Sequence, residues 1–145
     1  MTIQDFEQQL TRALKEHSAT EVSTLRLLIS RLKNEQIANG GTLSGEALLK
    51  IVQSEYKKRK ESESEYLRGG RNDLASQEGE EASILAGFLP KQLTEQEVDA
   101  AVEQALAEHS WTGADFGVAM KALKEQLGAT VDGALLSRVL KEKLK

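Results

Sequence analysis

A single proline, Pro90, interrupts a chain whose apolar periodicity runs up to it and resumes beyond it. That residue limits the possible folds more than any other. A residue that precedes proline is pushed out of the helical region, so a helix running through Ser83-Ile84-Leu85-Ala86-Gly87 must finish near Phe88-Leu89. Thr94, followed three residues later by Glu97, is a capping box in which each side chain satisfies the other's backbone N–H, and it opens a new helix. Two helical modules are therefore expected, residues 1–90 and 91–145.

Only 4% of the residues are aromatic, and Ala, Leu, Glu, Lys and Gln are abundant, which favours helix over strand nearly everywhere. With 145 residues the chain can bury a core without a disulfide or metal. The lack of cysteine excludes thiol catalysis and cysteine-ligated zinc. No stretch approaches the roughly 20 apolar residues of a membrane span, and Met1-Thr2-Ile3-Gln4-Asp5 lacks a basic signal region. A cytoplasmic protein with no membrane partner is expected.

The 3.6-residue period places Ile3, Phe6, Leu10, Ala13 and Leu14 on one face of a first helix that ends near His17-Ser18. A second, opening at Ser23 or Thr24, buries Leu25, Leu28, Ile29 and Leu32 and stops at Asn39-Gly40-Gly41. Ser44 starts a third with Leu48, Ile51, Val52, Glu55 and Tyr56 inward; Asn72 or Asp73 caps a fourth. Beyond Pro90, helices are expected from Thr94, from Thr112 or Asp115, and from Asp132, with Gly128 as a stop. The fold class is all-α: a four-helix N-terminal part with long helices, then a compact three-helix bundle.

Net charge is −4, but residues 24–71 carry ten bases against six acids, while residues 72–145 carry seven against thirteen. Only the middle segment can face phosphate. Its core is Lys57-Lys58-Arg59-Lys60. Lys57 and Lys60 lie about 60° apart around a helix, so they can approach a phosphate backbone together; Glu55, Glu61 and Glu63, at four-residue spacings from these bases, can equally neutralise them. Arg26 and Lys33 either join that surface or cover the core edge with their stems. Arg68 and Arg71 flank Gly69-Gly70 and either close over an anion at a helix start or pair with nearby carboxylates.

Other chemistry has little support. His17 and His109 fall in separate modules without an HExxH pattern, so no metal is expected; the glutamates lack the Glu-x-x-His pairs of a di-iron bundle. There is no GxSxG elbow, GxGxxG or P-loop, so no catalytic residues and no cofactor are expected. Trp111 is either a packing anchor or a stacking platform for a base.

Several segments occur in a specific order: Ser23-Thr24-Leu25-Arg26-Leu27-Leu28, Glu55-Tyr56-Lys57-Lys58-Arg59-Lys60-Glu61-Ser62, Gly70-Arg71-Asn72-Asp73-Leu74-Ala75, Ile84 to Glu95, Met120-Lys121-Ala122-Leu123 and Asp132-Gly133. Together they resemble the YqeY family, whose domain is similar to the tail of the B subunit of the aspartyl/glutamyl-tRNA amidotransferase (GatB). The resemblance covers essentially the whole chain. It implies an all-helical protein that binds tRNA or structured RNA, linked to a carbon–nitrogen ligase with glutamine as amido-N-donor whose chemistry lies in other domains. The candidate RNA contacts are Arg26, Lys33, Lys57, Lys58, Arg59, Lys60, Arg68 and Arg71. Alternatives are a helical protein–protein adaptor and an amidotransferase-associated enzyme activity. Many family members have a proline and then Gly-Arg-Ala-Asp-Gly where this chain has Glu125 and Gly128-Ala129-Thr130-Val131-Asp132-Gly133, which leaves the RNA reading to residues 26–71.

Overall fold

The computed structural model describes residues 1–144 and is all-helical: seven α-helices and two short 3-10 turns, with no strand among the described residues. The chain divides into two compact units, Met1–Leu89 and Pro90–Lys145.

The first unit contains α1 (Ile3–Lys15), α2 (Ala19–Ala38), α3 (Gly45–Arg68) and α4 (Asn72–Ala86). Thr2 and Asp5 form a capping box at the start of α1, and Ser44 accepts the Ala47 N–H at the start of α3. His17 takes φ 56 after α1. This left-handed residue lets the Ser18 N–H reach back to the Ala13 carbonyl, which closes α1 tightly. Consequently α2 begins at Ala19, one turn earlier than Ser23 or Thr24, and Ser18 occupies its cap without a side-chain hydrogen bond. α3 runs unbroken for 24 residues and turns at Gly69-Gly70, where Gly70 has φ 75 and its lack of a Cβ removes the strain. Arg71, rather than Asn72 or Asp73, is the N-cap of α4.

Phe6, Leu25, Leu32, Leu48, Val52 and Leu85 are fully buried in the first core, and Phe88 packs edge-on against Phe6 with ring centroids 4.9 Å apart. Leu14 is not part of that core. It is 45% exposed, because the inward arc of α1 is already filled by Phe6, Leu10 and Ala13.

The second unit contains α5 (Glu95–Glu108), α6 (Phe116–Leu127) and α7 (Gly133–Lys143). Thr94 and Glu97 form the capping box of α5, and the bonds from Thr94 hold the Glu97 carboxyl below its usual range. Val98, Val102, Ala119, Leu123, Leu136, Val139 and Leu140 make its core, with Trp111 packed at the edge. No helix among the described residues is long and apolar enough to cross a membrane.

Candidate functional site

α3 and α4 form a helical hairpin about Gly69 and Gly70, and this hairpin decides the fate of the basic run. Four successive residues on a helix spread around it at about 100° each, so Lys57, Lys58, Arg59 and Lys60 cannot share a face. Arg59 continues the stripe of Leu48, Val52 and Glu55 and turns inward. Its guanidinium lies 3.5 Å from Glu55, 3.7 Å from Glu78 and 3.5 Å from Glu81. Arg59 is only 21% exposed, and the three carboxylates are 13–18% exposed. Glu55 also receives Arg31 from α2, and Lys58 stands 3.7 Å away.

Glu55 thus has three cations about it, whereas Glu78 and Glu81 share Arg59. Burial, reinforced by the neighbouring Glu81, raises the Glu78 carboxyl above its usual range, and Arg59 opposes this only in part. A separation of 3.7 Å is too long for a strong charge-assisted hydrogen bond, and one Glu78 oxygen is buried without a hydrogen-bond partner. A cavity of about 240 Å³ lies among α2, α3 and α4, lined by Thr24, Glu55, Arg59, Gln77 and Glu81.

The remaining cations fall into separate groups. Lys57, Lys60 and Arg68 line a groove of about 430 Å³ along the outer side of α3, with Glu61, Ser64 and Glu65. Lys60 also donates to Glu63 at 2.8 Å, and that bond raises its ammonium pKa. Arg71 sits beyond the hairpin turn, 3.5 Å from Asp73. Lys33 reaches across to Glu7 at 3.2 Å. Arg26 lines a different groove, formed by α1 and α2. The structure thus brings Lys57, Lys60 and Arg68 together, spends Arg59 on a part-buried network, and places Arg26 and Lys33 with α1.

His109 ends α5 and stacks on Trp111, ring centroids 4.2 Å apart and planes within 7°. No group of His, Asp or Glu among the described residues is arranged to hold a metal. In the loop that lacks the family arginine, the Thr130 hydroxyl donates to the Leu127 carbonyl and the Gln92 amide donates to the Ala129 carbonyl, at 2.6 and 2.7 Å. These contacts give that loop a role in holding the start of the second unit.

Glu78 and Glu81 are the partners that reading along the chain misses. A signal for them was present: eleven residues back from Gly70 is Arg59, and eleven forward is Glu81. A tight helical hairpin must set those positions side by side.

The chain matches the family described as Yqey-like protein over residues 3–144. It is 30% identical over 110 residues to Altered inheritance of mitochondria protein 41, mitochondrial, of Lachancea thermotolerans, a match covering 74% of this chain and 59% of that protein. The protein of the same name from Meyerozyma guilliermondii is 32% identical over 88 residues, covering 61% of this chain and 46% of that protein. The chain therefore spans roughly half the length of these two relatives.

Proposed function

We propose that this chain, which belongs to the YqeY family, is a non-catalytic accessory module that binds folded RNA, tRNA in the first instance, along the outer edge of α3. The observation supporting this reading is the shared groove of Lys57, Lys60 and Arg68, with Arg71 just past the hairpin turn. Phosphate contacts position an RNA without reading its sequence, and three long cationic side chains along one groove, Lys60 and Arg68 exposed and Lys57 half-buried, suit that task. Arg59 contributes by holding the hairpin together, and Arg26 and Lys33 lie outside the contact. Any glutamine-dependent amide transfer belongs to partner domains. The reading also takes 1–90 and 91–145 as separate domains, four-helix and three-helix, and the setting as cytoplasmic, although the two relatives carry a mitochondrial name.

A tRNA titration across a salt series tests it. Three or four phosphate contacts give a slope of log affinity against log salt of about −2 to −4. Replacing Lys57, Lys60 and Arg68 together by glutamate is expected to abolish binding while the helical circular dichroism is unchanged. No binding at low salt, or binding that survives the triple replacement, overturns the proposal.

A further inference from the structure

α2 buries one apolar stripe and leaves a mixed face beside it open. Leu25, Leu28, Ile29 and Leu32 are buried. The adjoining face carries Ala19, Val22, Ser23, Arg26, Leu27 and Ser30, the i, i+3, i+4, i+7, i+8, i+11 pattern of one helical face, and of its apolar members Val22 also packs against the first core. With Leu14 and His17 from the end of α1, it lines a mostly apolar groove of about 710 Å³. Leu27 is 60% exposed and Leu14 45% exposed. A lone exposed leucine needs no explanation; here two leucines from adjacent helices line one trough.

The dimensions and charge of the trough indicate its occupant. Eleven helical rises, from 19 to 30, span about 16 Å, the length of three turns of a second helix. No carboxylate lines the groove, although the chain has 23 acidic residues. Arg26 is exposed at its edge and, like Arg68, pairs with no carboxylate among the described residues, whereas Arg12, Arg31, Arg59, Arg71 and Arg138 each have one. Arg26 therefore remains available to an acidic group from outside. A mostly apolar groove with a single arginine offers an RNA backbone few contacts, and a two-fold pairing of this groove with itself would bring Arg26 towards its own copy.

We infer that the α1–α2 groove docks an acidic amphipathic helix of another protein, with apolar side chains seated between Leu14 and Leu27 and a carboxylate on Arg26. The contact is small, so the complex is transient, in the micromolar range or weaker. This inference rests on residues other than those of the α3 edge, and it can fail or stand independently of the RNA proposal.

The test pans a phage-displayed library of helical peptides against the full chain and measures the selected peptides by fluorescence anisotropy. The expected winners have apolar residues at i, i+3 or i+4, and i+7, with an acid beside them. Leu27→Glu and Arg26→Glu should each weaken binding at least about ten-fold, the factor one lost buried contact produces, without loss of helicity. Changing the peptide's acids to lysine should restore binding to the Arg26→Glu protein. Failure to enrich any peptide, winners that are basic, or affinity indifferent to Leu27→Glu overturns the inference. So does self-association that Leu27→Glu abolishes, which makes a second copy the occupant, or a loss of tRNA binding in the Arg26→Glu protein, which makes RNA the occupant.

Discussion

The two units join their helices by different means. In the first, α2, α3 and α4 meet through an apolar core and, above it, a half-buried ion network centred on Arg59. In the second, the core is apolar alone, and the interhelix ion pairs, Arg138 with Glu95 and Lys143 with Glu103, sit on the rim with carboxylates 58% and 67% exposed. The difference shows what charge is used for in each. On the rim, water screens the pair and its loss costs little. Between helices, Arg59 cannot be removed without leaving Glu78 and Glu81 unpaired in a poorly solvated place, although Glu55 keeps Arg31 and Lys58.

The largest expected effect is common to both units. Leu136→Ala and Leu32→Ala each empty a fully buried leucine site and should each lose about 3 kcal/mol in urea unfolding. A much smaller loss in only one unit would mean that its core is not the main support. Arg59→Ala comes next, at about 2 kcal/mol, from the unpaired carboxylates it leaves behind. If this variant unfolds at the wild-type midpoint, the contrast between the units collapses.

A smaller effect sharpens the contrast through pH. Because the Glu78 carboxyl has a raised pKa in the folded protein, the native state binds more protons than the unfolded state between the ordinary carboxylate range and that raised value. Stability contributed by this group therefore falls as pH rises through that window. Glu78→Gln should flatten the decline in denaturation midpoints between acid and neutral pH and leave the protein at least as stable at neutral pH. A steeper decline would show that Arg59 dominates burial at this site. Least of all, Arg138→Ala should leave the thermal midpoint unchanged within error, since both ends of its pairs are half-exposed or more.

Much of the architecture was legible along the chain. The Thr94–Glu97 box, the Ser44 and Asp132 caps and the glycine stops near 40, 70 and 128 all mark helix ends where the structure has them. The start of α2 was not legible, because the signal lay in His17, a residue that tolerates the left-handed turn without advertising it as glycine does. The outward placement of Leu14 was hidden because 3.6-residue periodicity admits it to either edge of the stripe. The pairing of Arg59 with Glu55 was legible in their four-residue spacing, but its partners on α4 were not, and the exposed Leu27 stood hidden among the serines and arginine of its face.

Helix identity and helix ends are governed by hydrogen bonds and side chains within a few residues, so the linear chain determined them, together with the break at Pro90. The partners of Arg59 depend on how α4 is rotated against α3 and α2, and the exposure of Leu27 and Arg26 depends on which face of α2 the core takes. Those choices depend on burial across distant segments, and only the tertiary structure decided them. Two acids of α4, Glu78 and Glu81, meet Arg59 in that packing, and what reads as a basic segment becomes, at its centre, the support of a hairpin.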